Sequence, residues 1–144
     1  MVRTANDDIK SYSVVILLPT LEERFEYLRL KGKVGAETFG YDRYLNQVLY
    51  HDPEWRRIRN DVIIRDNGCD LGVEGHEIHG RILIHHINPI TIDDVKLRHY
   101  CVFDLDNLIC TSHNTHNAIH YGDANLLPKN PIERKPNDTC PWRR

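Results

Sequence analysis

A chain of 144 residues with 40% hydrophobic and 28% charged side chains has the composition of an ordinary soluble globular protein. It is long enough for one domain with its own core, and nothing in it suggests a second catalytic domain. The formal net charge of −2 excludes a uniformly basic surface, so any face that holds phosphate must be local.

The first apolar run, Val14, Val15, Ile16, Leu17 and Leu18, is too short to span a membrane and has no basic leader. No secretion signal is expected, and the four scattered cysteines, Cys69, Cys101, Cys110 and Cys140, are expected to be free thiols, mostly buried, in a cytoplasmic chain. Thr20-Leu21-Glu22-Glu23 is a capping box, and Leu21, Phe25, Leu28 and Leu30 continue a helical stripe that should end near Gly32. Residues 35–40 read as a connection and residues 41–50 as a second helix. Asp52 followed by Pro53 predicts the start of a third helix running through Trp55, Ile58, Val62 and Ile63, and Asn67-Gly68 is a turn signal beyond its end.

Arg81 to Ile87 reads as a strand, with branched apolar residues that end at Asn88-Pro89. It carries the adjacent pair His85 and His86. Neighbouring side chains on a strand point to opposite faces, so the two rings suit different jobs, one as a metal ligand and one as a base. Asp106 to Cys110 is a second short apolar run. Thr111-Ser112 offers an N-cap for the helix that follows, and on that helix His116 and His120 lie i,i+4 apart on one face, a spacing that lets both reach one metal. A base for water, a cation for phosphate charge and a rigid frame are what phosphodiester hydrolysis requires.

The segments Ile84-His85-His86-Ile87-Asn88-Pro89, Asp106-Asn107-Leu108 and His113-Asn114-Thr115-His116-Asn117-Ala118-Ile119-His120 resemble the HNH endonuclease motif. The resemblance covers roughly residues 60 to 122, and it is strongest to the small HNH proteins carried by tailed bacteriophages and prophages. It implies an α+β fold: a ββα-metal hairpin and helix, here buttressed by N-terminal helices. The organisation expected is a helical buttress over 1–59, the nuclease core over 60–123 and a Pro-rich extended tail over 124–144.

Carried over by position, the resemblance makes His86 the general base and His85 and His116 metal ligands. Asn107 holds the loop and orients the base strand, and His120 is an additional ligand that many family members lack. The implied cofactor is one divalent ion, with magnesium, manganese, zinc, nickel and iron all open. The reaction would leave 5′-phosphate and 3′-hydroxyl ends. The rings at 85, 86 and 116 are expected to gather about a common point.

Many members also carry two Cys-x-x-Cys pairs around a structural zinc. Here the first pair keeps only Cys69, with Gly72 at its second position, and the second pair would fall at Ser112 and Thr115. A zinc knuckle is therefore not expected, although a cage from Cys69, Cys110, His113 and either His76 or His79 is an alternative. The expected partner is DNA, with no membrane, and two biological uses stay open: a homing-type or free-standing endonuclease, and a nicking factor beside phage terminase. Basic candidates for DNA contact are Arg56, Arg57, Arg59 and Arg65 on the third helix, Lys96 and Arg98 in the motif loop, and Lys129, Arg134, Lys135, Arg143 and Arg144 in the tail. The rival reading is a non-catalytic, metal-stabilised DNA-binding or packaging-accessory module.

Overall fold

Two short strands divide the interior of this α+β chain into two apolar compartments. The computed structural model describes residues 9–30, 47–49 and 51–128. The expected helix over 41–50 and its preceding connection fall almost wholly outside these residues, as do Gly32, Cys140 and the basic residues of the tail.

Each helix starts where a side chain can accept from a backbone N–H that has no partner within the helix. Helix α1 is Tyr12–Val15, and Ser11 caps it. Helix α2, Leu21–Leu28, is capped by Thr20, whose hydroxyl accepts from the Glu23 N–H. It stops at Arg29, where ψ turns to 139° and the chain becomes extended. Helix α3, Pro53–Arg65, has Asp52 as its cap and proline in its first turn, as its sequence predicts. It runs unbroken through the expected domain boundary at 59/60, with Ile58 and Val62 in one core. Asn67 and Gly68 then both take positive φ, 55° and 65°, which reverses the chain toward the sheet.

Strand β1, Leu83–His86, pairs antiparallel with β2, Leu108–Thr111, in the register Leu83 to Thr111, Ile84 to Cys110, His85 to Ile109 and His86 to Leu108. Between them lie α4, Ile92–Lys96, and two 3-10 turns, Tyr100–Val102 and Leu105–Asn107. Helix α5, His113–Tyr121, follows β2 directly and is capped by Ser112. Alternation along the strands assigns their side chains to the two compartments. Ile87 and Ile109 join α1, α2 and α5 residues in one core, built on Val15, Leu21, Phe25, Leu28 and Ile119. Leu108 and Cys110 join Trp55, Ile58, Val62, Val95 and Val102 in the other. Among the described residues no helix is long and apolar enough to cross a membrane.

The N-terminal segment braces α5 at its end. The Leu30 N–H donates to the Ile119 carbonyl at 2.9 Å, and Arg29 Nη2 donates to the Gly122 carbonyl at 2.9 Å. Gly122 closes the helix with φ 65°, and a Cβ there would stand 2.5 Å from the Leu30 carbonyl oxygen. Backbone strain and this clash act together, so Gly122→Ala should destabilise the fold by about 2–4 kcal/mol, read as a fall in thermal midpoint. A midpoint within a degree of the parent would show that Leu30 yields without cost.

Candidate metal centre and its surroundings

His85 comes from β1, and His116 and His120 come from successive turns of α5, so strand pairing and helix packing together set where three imidazoles meet. One ring nitrogen from each lies within 4.8 Å of the others. Ring centroids are 5.6 Å apart for His85 and His116, 5.2 Å for His85 and His120, and 4.6 Å for His116 and His120. All three are buried, at 2%, 8% and 2% exposure. Three buried imidazoles, two pairs T-shaped and one tilted, offer as neutral rings three nitrogens to one cation and leave coordination positions open. The donor set therefore fits a divalent transition ion. His120, which many members of the resembled family lack, belongs to this cluster as fully as the other two.

His86 does not join them. No bulge interrupts β1, so its side chain faces the second compartment, where it stacks on Trp55 with centroids 5.4 Å apart and planes 16° from parallel. Its Nε2 lies 3.0 Å from the Val102 carbonyl oxygen. A carbonyl only accepts, so Nε2 carries the hydrogen, and in the neutral ring the lone pair sits on Nδ1. The expected common point of rings 85, 86 and 116 is thus replaced by a split arrangement across one strand.

Asn107 ties the two chain segments between the strands together. Its Oδ1 accepts from the Asn88 backbone N–H and from Asn88 Nδ2, each at 2.8 Å, and its Nδ2 donates to the Cys101 carbonyl at 3.0 Å. Asn88 in turn exchanges two hydrogen bonds with the Lys10 backbone. This amide network fixes both the end of β1 and the turn whose next carbonyl, on Val102, holds His86. The sequence marks Asn88 as the end of the strand, before Pro89, but does not announce this bridging role.

Ser112 and Thr115 gather about a buried carboxylate. Asp70, 4% exposed, accepts from the Ser112 N–H at 3.0 Å, from Ser112 Oγ at 2.9 Å and from Thr115 Oγ1. Ser112 and Thr115 are the positions at which the second cysteine pair of the resembled motif would fall. Nearby, Asp66 accepts from Arg65 Nε at 2.8 Å and from the Cys110 N–H at 2.9 Å. The alternative cage is not assembled: Cys69, Cys110 and His113 form no group of converging ligand atoms among the described residues. Cys110 is instead sealed in the core, and burial, followed by the charge of Asp66, pushes its thiol up to about 12.

The arginines of α3 separate into three roles. Arg65 packs over Tyr12 at 3.4 Å, donates to the Leu105 and Leu108 carbonyls, and pairs with Asp66, so it holds the fold together. Arg57 sits among Glu54 and Asp61 on the surface. Arg56 and Arg59, with Arg81, Asn60 and Trp55, line a groove of about 340 Å³ along Ile82, Leu83 and Ile84. In the motif loop, Arg98 is neutralised by Asp52 and Glu54, each at 2.6 Å. His113 is the first residue of α5, with its Nε2 3.2 Å from Asn117 Nδ2. Comparisons with family models, with curated proteins and with solved structures gave no match to this chain.

Proposed function

We propose that this protein is a metal-dependent HNH endonuclease that hydrolyses DNA phosphodiester bonds, with β1, β2 and α5 as its ββα-metal unit. The observation that carries the reading is the convergence of His85, His116 and His120 on one side of β1 while His86, the next residue, is oriented by the Val102 carbonyl on the other. His85, His116 and His120 would hold one ion, and three imidazole donors favour zinc, nickel or iron over magnesium. When bound, the ion would offset charge on the scissile phosphate and on the leaving 3′ oxygen.

His86 would take the proton of the attacking water on Nδ1. The charged ring then keeps its Nε2–H on the Val102 carbonyl and its face on Trp55, both of which favour a cation. Asn107 acts as a positioning residue through the Cys101 carbonyl and Asn88.

DNA would lie along the groove between α3 and β1. Its Trp55 wall is the same residue that stacks on His86, so the proposed base packs against a side chain that lines the cationic groove. Arg81→Ala should weaken equilibrium binding of a short duplex, measured by fluorescence anisotropy in EDTA, by roughly 3- to 10-fold and lower the salt slope by about one. Arg57→Ala should leave both unchanged, and an equal loss in the two variants would remove the groove from the interface.

The second reading, a non-catalytic metal-stabilised DNA-binding or packaging-accessory module, is favoured by the burial of His86, which is 8% exposed. Supercoiled plasmid incubated with magnesium, manganese, zinc or nickel separates the two. The nuclease reading expects ion-dependent nicking or linearisation that EDTA and His116→Ala abolish; intact plasmid with every ion overturns it and leaves the module. A phage or prophage setting, a cytoplasmic location and a role beside terminase belong to the same proposal.

A further inference from the structure

Away from the three-histidine cluster, a second set of ligand-type side chains meets at the far end of α4. Thr91 and Asp94 form a reciprocal capping box at the start of this helix. The chain then turns sharply through Arg98, at φ 52°, and the His99 N–H donates to the Asp94 carbonyl at 2.8 Å. This fold-back brings Asp94, His99 and Cys101 together, with one ligand atom from each within 4.8 Å of the others. His99 Nδ1 lies 3.3 Å from Cys101 Sγ. At a tetrahedral zinc, bond lengths of about 2.0–2.1 Å to nitrogen and about 2.3 Å to sulfur separate the two donors by roughly 3.5 Å. The pair already spans one edge of such a polyhedron.

We propose that Asp94, His99 and Cys101 form a second metal site, selective for a borderline-soft divalent cation of the zinc class. A carboxylate, an imidazole and a thiolate are all ligands that zinc accepts, whereas the sulfur excludes magnesium and calcium as natural occupants. Asp94 gives one oxygen contact to the Thr91 N–H at 2.8 Å, and a carboxylate has lone pairs enough to serve the cap and a cation together. His99 is exposed and Asp94 and Cys101 are half-buried, so solvent would complete the coordination. Binding displaces the Cys101 thiol proton to solvent.

The site's position gives it a consequence. The Cys101 carbonyl accepts from Asn107 Nδ2, and the next carbonyl, on Val102, holds His86 Nε2. A cation gripped by His99 and Cys101 would therefore clamp the turn that orients His86.

Cobalt(II) titration of the full-length, reduced, metal-free protein tests the site by a readout that the three-histidine cluster cannot produce. Thiolate bound to cobalt gives an intense near-ultraviolet charge-transfer band, and imidazoles do not. The band should appear in the parent and in His116→Ala, and vanish in Cys101→Ser. His99→Ala, at an exposed position whose ring also caps the Cys101 N–H, should weaken cobalt binding followed by this band at least about tenfold, since loss of even an outer-shell partner costs that much. Absence of the band in the parent, its survival in Cys101→Ser, or unchanged affinity in His99→Ala would each overturn the assignment. None of these outcomes depends on whether the protein cuts DNA.

Discussion

Replacing His86 by alanine is expected to slow plasmid cleavage by on the order of 10²- to 10⁴-fold while the protein still folds and still takes up one ion at the three-histidine cluster. The separation of effects follows from the strand. His85 and His86 are adjacent in sequence, yet one ring lies with His116 and His120 and the other against Trp55 and Val102. Truncating His86 removes no metal donor. It does empty the space beside Trp55, so a loss of about 2–3 kcal/mol in stability is expected. Cleavage rates should therefore be compared below the unfolding transition of the variant, with circular dichroism and ion stoichiometry measured on the same samples. Equal cutting by parent and variant would remove His86 from the chemistry and leave the binding-module reading the stronger. Loss of the ion together with cleavage would instead mean that the two faces of β1 are not independent.

Local signals in the chain were legible where one or two residues decide the backbone. Asp52-Pro53, Thr20 with Glu23 and Ser112 each cap the helix they announce, because a short polar side chain satisfies an N–H that the helix itself cannot. The i,i+4 spacing of His116 and His120 was equally direct, since helical geometry alone places both on one face. The strand pair was legible in outline, and so was the α+β class. What the sequence did not reveal depends on contacts between distant segments. Asp70 reaches Ser112 across 42 residues, and Asn88 reaches Lys10 across 78. No periodicity marks such a pair, because a single polar residue near a turn looks the same whether it is solvated or buried. The four arginines of α3 show the same limit: their helical positions are readable, but only the neighbours of each decide which one holds Asp66, which one meets solvent and which two line a groove.

Asp70→Ala should be strongly destabilising, lowering unfolding free energy by about 3–5 kcal/mol in urea titrations. Three donors point at this one buried carboxylate: the Ser112 N–H, Ser112 Oγ and Thr115 Oγ1. Removing it leaves the Ser112 N–H without this acceptor and only the 3.0 Å contact between Ser112 Oγ and Thr115 Oγ1 for the two hydroxyls, and each group left unsatisfied adds its own desolvation cost. The charge also matters, because Asp70 sits at the amino end of α5, where the helix dipole favours an anion. Ser112 is the cap of that helix, accepting from the Thr115 N–H at 3.2 Å, so loosening Ser112 frays the turn that leads into His116. The second measurable effect is then on ligand geometry: ion affinity at His85, His116 and His120 should fall along with stability. Asp70→Asn, which keeps the shape but turns one acceptor into a donor, should lie between parent and alanine. A loss below about 1 kcal/mol in Asp70→Ala would show that the knot is dispensable and that α5 is held by apolar packing and the Leu30 and Arg29 contacts at its other end.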